Sequence, residues 1–285
     1  MKNRAASLKA RLLNLSKKEN IEFQVLISRF LHERLLYRIS VSDFSNHFVL
    51  KGGAFMYAIQ GLKTRPTTDV DLLGQQLAND VDALCDTFRK ICSRESSDEV
   101  HFLPESIQGE PIAEQEKYNG VRVFVDTQFD SIRQRLQIDI GFGDVVTPEN
   151  LQLDYPVLLD DMETPVVRAY SVETVIAEKF QAMIELSLFN SRMKDFYDIY
   201  KLLASENYNR DLLQEAIVST FKNRATSYIH EHSLFSPAFA TDSLRKQNWA
   251  AFLRKIKRDK ELTFEEVMQT ITTNLKPYWE NLKEK

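Results

Sequence analysis

Residues 51–74, KGGAFMYAIQGLKTRPTTDVDLLG, decide the reading of this chain. The stretch ends in an apolar run that carries two carboxylates, Asp69 and Asp71. On a β-strand, residues two apart share a face, so both acids project together while Val70 packs the other way. Side-by-side carboxylates repel each other and are costly to bury. A divalent cation removes that cost, and an all-oxygen donor set suits Mg²⁺. Upstream, Gly52 and Gly53 allow backbone amides to approach a phosphate closely. Ala54 to Gln60 reads as a helix whose N-terminal amides face that glycine turn. A glycine turn and a carboxylate strand together predict metal-assisted phosphoryl chemistry. Between them, Arg65 reads either as a phosphate contact or as an ordinary loop arginine. Thr67 and Thr68 read as hydroxyl ligands or turn caps.

Working outward, the first forty residues read as two helices, with Leu8, Leu12 and Leu15 periodic in the first and Phe23, Leu26, Ile27, Phe30, Leu31 and Leu35 in the second. A short strand, His47 to Leu50, leads into the glycines, and a helix runs from about Asp80 to Ile91. The middle of the chain is β-rich. Val121, Val123 and Val125 alternate with Arg122 and Phe124, and RQRLQIDIG, residues 133–141, alternates polar residues with Leu136, Ile138 and Ile140. Beyond Ser171 the pattern turns helical, over roughly 171–188, 192–204, 210–222, 243–258 and 263–281. These shifts predict two domains, 1–168 and 169–285.

Asp139 is the third carboxylate of interest. Strand alternation places it with Gln137 and Arg135 on a polar face, where it reads as solvent-facing unless a cation is near. Joined to Asp69 and Asp71, it completes the three acids needed to hold two metal ions, one beside an attacking hydroxyl and one beside nucleotide phosphates. Lys179 falls inside the apolar stripe of its helix, formed by Val172, Val175, Ile176, Phe180, Met183 and Ile184. It either snorkels past its neighbours or reaches a triphosphate as a compact point charge. The next helix opens with RMKDFYD, residues 192–198. Acids in a first turn oppose the macrodipole behind a Ser191 or Asn190 cap, which accounts for Asp195 and Asp198. Arg192 and Lys194 have the wrong sign there, and a place for Arg192 and Asp195 at the active site is the competing reading.

Composition narrows the class. At 285 residues, 43% hydrophobic and 27% charged, the chain has room for one large or two modest domains. A net charge of −4 gives no global nucleic-acid signature, but residues 245–260, RKQNWAAFLRKIKRDK, hold seven bases and one acid on an amphipathic helix. No apolar run approaches the roughly 18 residues needed to span a bilayer, and the N-terminus carries no signal-peptide pattern; a cytoplasmic protein without membrane contact is expected. Cys85 and Cys92, seven apart on one helix, are too distant to pair and read as reduced thiols. His230 and His232 lack further ligands at diagnostic spacing. Gly52-Gly53 is followed by no GK[ST], so a P-loop is not expected.

The pattern LKGG, then RPTTDVDLLG, then IDIGFGD resembles the nucleotidyltransferase superfamily related to DNA polymerase β. The downstream AEKFQAM and RMKDFYDIYKLL resemble, more narrowly, the AbiEii/AbiGii toxin nucleotidyltransferases, which include the MenT toxins. The resemblance covers about residues 45–205. It implies an α+β fold, a polymerase-β-like mixed sheet with flanking helices plus a helical C-terminal domain, with nucleotide between the two. It implies a toxin of a toxin–antitoxin or abortive phage infection system, paired with a separate antitoxin protein. The reaction implied is transfer of a nucleoside monophosphate from an NTP, in some members to the 3′ end of tRNA. By motif, Gly52 and Gly53 would hold phosphate, and Asp69, Asp71 and Asp139 would bind Mg²⁺, with Asp139 as hydroxyl base. Arg65 and Lys179 would bind nucleotide, with Thr67 and Arg192 as further contacts, and Asp195 would match a later acidic position. Two departures stand out: Gly53 occupies a position where serine is common, and Thr67 replaces serine of some members. Two alternatives remain from the residues: the same chemistry on an antibiotic or a protein side chain, or a nucleotide-binding module without turnover.

Overall fold

A computed structural model describes residues 4–114, 118–149 and 151–284. The chain divides into two compact units, Met1–Gly143 with Asn150–Ala169, and Asp144–Glu149 with Tyr170–Lys285. The first holds α1 (Arg4–Glu19), α2 (Phe23–Ser40), β1 (Phe48–Lys51), α3 (Gly52–Gln60), β2 (Asp69–Gly74), α4 (Val81–Cys92), β3 (Val100–Glu114), β4 (Tyr118–Phe129), β5 (Ile132–Gly141), β6 (Gln152–Asp154) and β7 (Val166–Ala169). The second holds α5 (Val172–Leu186), α6 (Met193–Ala204), α7 (Arg210–Asn223), α8 (Pro237–Thr241), α9 (Ser243–Ile256) and α10 (Phe264–Asn281). The fold is α+β: a mixed sheet with flanking helices, followed by helices alone.

The seven strands lie in the order β3-β4-β5-β2-β1-β7-β6. β2 runs parallel to β5 and antiparallel to β1, so strands far apart in sequence meet at the centre of the sheet. Alternation sets the two faces. Val70, Val121, Val123, Val125, Leu136, Ile138 and Ile140 are buried, whereas Asp69, Asp71, Arg122, Gln137 and Asp139 are partly exposed. Pairing Val70 with Ile138, and Ile138 with Val123, puts the apolar residues on one face. The helices cover that face: Phe30 of α2 meets Phe129 of β4 at 5.2 Å between ring centroids, and Phe88 of α4 meets Phe48 of β1 at 5.4 Å. Burying each such ring contributes about 2 kcal/mol, and the opposite face carries the acids together with the buried Val49 and Leu73.

Helix boundaries follow local chemistry. Asp80 caps α4 by accepting from the Ala83 amide, Ser171 caps α5 by accepting from Thr174, and Thr263 with Glu266 forms a capping box on α10. In the second unit, Phe196 packs edge-on against Phe264 at 5.3 Å, and Phe180 lies 5.4 Å from Phe221. Cys85 and Cys92 are both free and buried, and burial pushes the Cys92 thiol up to about 12. Among the described residues, no helix is long and apolar enough to cross a membrane.

Three local readings change. α3 begins at Gly52 and not at Ala54, and Gly52 makes the strand-to-helix turn with a φ of +65° that favours glycine. Residues 100–114, which carry no clear strand pattern, form the long edge strand β3. Pro104 and Pro111 interrupt its alternation, and the register shifts between Leu103 and Gln108; an edge position tolerates both. Finally, Arg192 is itself the residue before α6, exposed and outside the helical wheel, while Asn190 accepts from the Arg192 amide at 2.9 Å.

Candidate metal and nucleotide site

Register builds the site. On the polar face Asp71 is paired with Asp139 across β2 and β5, Asp139 with Arg122 across β5 and β4, and Arg122 with Glu110 across β4 and β3. On the other side Asp71 is paired with Lys51 of β1. One row of the sheet therefore reads Glu110, Arg122, Asp139, Asp71, Lys51, and Asp69 lies two residues from Asp71 on the same face. One carboxylate oxygen from each of Asp69, Asp71 and Asp139 lies within 4.8 Å of the others. Among the described residues, this is the one group of three acidic, histidine or cysteine side chains close enough to share an ion. Three partly exposed carboxylates so placed repel one another, and a hard, oxygen-seeking cation fits that donor set.

The glycines and the preceding loop hold two of these acids. A Cβ on Gly52 would come within 1.8 Å of Asp71 Oδ2, and one on Gly53 within 2.4 Å of Thr67 Oγ1. The Gly53 amide donates to Asp71 Oδ2 at 3.4 Å, a long bond, and Thr67 Oγ1 donates to Asp69 Oδ1 at 2.6 Å. The glycine pair thus lets the first turn of α3 sit against Asp71, with its amides at the carboxylates. Arg65 is half-buried and its guanidinium donates to the Pro66 carbonyl at 3.4 Å.

Beneath the site, α2 carries charged residues that a wheel of apolar positions does not reveal. Arg29 is buried and donates to the carbonyls of Leu62 and Thr64 at 3.1 and 2.8 Å, fixing the loop that delivers Arg65 and Thr67. Arg34 pairs with Glu33 at 2.8 Å, and Arg38 grips both oxygens of Asp98. Glu33 also accepts from the Leu158 amide at 2.7 Å, yet burial pushes its carboxyl up to about 7. His32 is fully buried, and desolvation drives its pKa down to about 4 against the opposing pull of Asp69.

Arg122 is the site residue that the sequence conceals. Its Nε and one terminal nitrogen donate to Asp139 Oδ1 and Oδ2, each at 2.8 Å, and its other terminal nitrogen lies 3.6 Å from Glu110 Oε1. The Asp139 bonds raise the guanidinium pKa further above its already high value. Gln137 Nε2 adds bonds to both Asp139 oxygens, at 3.0 and 3.1 Å. Alternation alone marks Arg122 as polar-facing; only strand order makes it a neighbour of Asp139.

The remaining predicted residues belong to the second unit. Lys179 Nζ bonds Asp195 Oδ1 at 2.6 Å and lies 3.0 Å from Asp198 Oδ2. The three side chains are 14%, 9% and 1% exposed, so α5 and α6 share a buried ion cluster. Another cluster joins Arg224 to Asp144 at 2.7 Å and to Gln181 at 2.8 Å. His232 accepts from the Leu234 amide and meets Trp279 edge-on, as part of the wall of a cavity of about 600 Å³.

The sheet thus presents three acids in register beside a glycine-started helix. The sequence profile described as "Nucleotidyl transferase AbiEii toxin, Type IV TA system" matches residues 34–270. The chain belongs to this family of toxin nucleotidyltransferases from type IV toxin–antitoxin systems. No curated protein matches it. Among solved structures it is similar to JHP933 from Helicobacter pylori, at 16% identity over 92% of this chain and 94% of that one, with a TM-score of 0.49. A second H. pylori structure, described as a "putative nucleotidyltransferase", is 15% identical over 92% and 97% of the two chains, with a TM-score of 0.45.

Proposed function

We propose that the protein transfers a nucleoside monophosphate from an NTP to an acceptor hydroxyl, with the 3′ end of an RNA, such as tRNA, as acceptor. The observation that carries this reading is the convergence of Asp69, Asp71 and Asp139 within 4.8 Å on one face of the sheet. Bound Mg²⁺, in the two-ion form, supplies charge for the triphosphate and acidity for the attacking hydroxyl. The chain's own part is positioning and charge stabilisation. Asp69, Asp71 and Asp139 hold the ions. The Gly52 and Gly53 amides receive phosphate oxygens, with Arg65 and Thr67 at the loop. The acceptor oxygen bonds to the α-phosphorus, the bond to the bridging oxygen breaks, and pyrophosphate leaves. The hydroxyl proton passes to a carboxylate oxygen of Asp139. Lys179, Asp195 and Arg192 take no step in this reaction, because the Lys179 ammonium is held by Asp195 and Asp198 within the second unit.

An RNA acceptor is favoured by the basic helix. Arg254, Lys255, Lys257 and Lys260 are exposed, whereas Arg245 lies over Phe239 and Lys246 is paired with Glu265. Four solvent-facing bases on one short stretch suit a phosphodiester backbone. Membership of a toxin–antitoxin family supports a separate antitoxin chain as partner and a cytoplasmic place of action. The test is incubation with each labelled NTP, Mg²⁺, and separate pools of RNA, protein and aminoglycoside. Label on RNA 3′ ends that vanishes in Asp69→Ala is expected; label on protein or small molecule moves the acceptor, and undiminished label in Asp69→Ala refutes the site.

A further inference from the structure

Asp139 arrives at the site with most of its acceptor capacity taken. A carboxylate offers about four lone-pair directions. Two accept from Arg122, each at 2.8 Å, and an N–H of Gln137 Nε2 is shared between both oxygens at 3.0 and 3.1 Å. A cation shared by Asp69, Asp71 and Asp139 must compete with these donors for Asp139. Of the two, Arg122 is the charged one, and its guanidinium repels an incoming cation. Arg122 also has somewhere to go: Glu110 faces it across the register, 3.6 Å away and exposed. The Arg122 side chain itself is 31% exposed, so a change of partner needs no opening of the core.

We propose that Arg122 is a built-in counter-cation for the metal site, seated on Asp139 before the metal binds and passed to Glu110 when the metal takes its place. The inference rests on the reading of the three aspartates as metal ligands. Arg122 keeps Asp139 oriented and charge-compensated before the metal binds. It also sets the free-metal concentration at which the site fills, because every metal ion must compete with it. Glu110 lowers that threshold by accepting the released guanidinium. Arg122 is thus a positioning residue that couples metal occupancy to a hydrogen-bond exchange along the sheet row, in atoms that need never touch the nucleotide.

The test is calorimetric titration of the whole chain with Mn²⁺ alone, without nucleotide, for wild type, Arg122→Gln, Glu110→Gln, the double variant and Asp139→Asn. Arg122→Gln is expected to tighten Mn²⁺ by on the order of tenfold, since a competing cation is gone. Glu110→Gln is expected to weaken it by about threefold. In the Arg122→Gln background, Glu110→Gln is expected to do nothing, because Glu110 acts only through Arg122. If Arg122 only braces Asp139, Arg122→Gln weakens the metal instead, and the proposal fails. Additive effects in the double variant reduce Glu110 to a distant charge and also overturn the exchange. Binding in wild type that Asp139→Asn leaves unchanged overturns the metal assignment itself, and this inference with it. Arg122→Lys, which keeps charge but loses the two-pronged grip, is expected to fall between wild type and Arg122→Gln.

Discussion

The aspartate row of the first unit and the Lys179 cluster of the second use the same residue types to opposite ends. In the row, Asp69, Asp71 and Asp139 converge at the edge of solvent, and Asp139 and Arg122 remain 17% and 31% exposed. In the cluster, one ammonium lies between Asp195 and Asp198, and Asp198 is 1% exposed. The acids within reach of water already hold one exposed cation, Arg122, and are placed to take another. The charges gathered out of water are paired in place, and removing the ammonium sets two buried carboxylates against each other. The first arrangement is suited to chemistry and the second to holding α5 against α6.

The comparison can be broken most directly at Asp71. Asp71→Asn is expected to reduce nucleotidyl transfer by on the order of a thousandfold while leaving the melting temperature unchanged or slightly raised, because repulsion is relieved. Transfer assays beside thermal melts decide it; an unfolded variant would place Asp71 with the structural ions instead. The mirror experiment is Lys179→Met, which takes the ammonium from between Asp195 and Asp198. It is expected to cost about 3 kcal/mol in denaturant unfolding, and wild-type stability would show that the cluster does not hold the helices.

His32 sharpens the contrast from below the sheet, as a buried group kept neutral. Its folded pKa of about 4 lies under the unfolded value of 6.5. The unfolded chain therefore binds a proton that the folded chain refuses, and stability is lost as pH falls from 6.5 towards 4. The loss reaches on the order of 3 kcal/mol at the acid end, and His32→Leu is expected to flatten that limb of the pH–stability curve. A limb of unchanged slope would assign the acid sensitivity to other groups. Glu33 works in the opposite sense, its contribution being lost as pH rises from 4.5 towards 7. The smallest effect is expected at Gly53. A methyl there meets Thr67 Oγ1 at 2.4 Å, so Gly53→Ala should cost about 1 kcal/mol and lower transfer by about tenfold as Thr67 loosens its hold on Asp69. Transfer at the wild-type rate would show that this contact does not govern the acids.

Much of this was legible in the chain. The longer helices and the strands β1, β2, β4 and β5 announced themselves by pattern, though the short α8 did not, and Asp69, Asp71 and Asp139 stood out because acids in apolar strands demand a reason. What escaped was long-range. β3 was hidden by its prolines and shifted register, the α2 charges lay among leucines that looked like plain core, and Lys179 gave no hint of whether it would meet phosphate or aspartate.

Sequence alone determined which side chains share a face, since that depends on dihedral periods of 2.0 and 3.6 residues and on turn and cap residues a few positions apart. It also determined that Gly52 must turn and that two acids must stand together. Tertiary structure decided which strands became neighbours: β5 parallel to β2, so that Asp139 meets Asp71, and β4 beyond it, so that Arg122 meets Asp139. Pairing between distant strands is set by burial of the whole apolar face against α2 and α4, a sum over the entire unit that no local window contains.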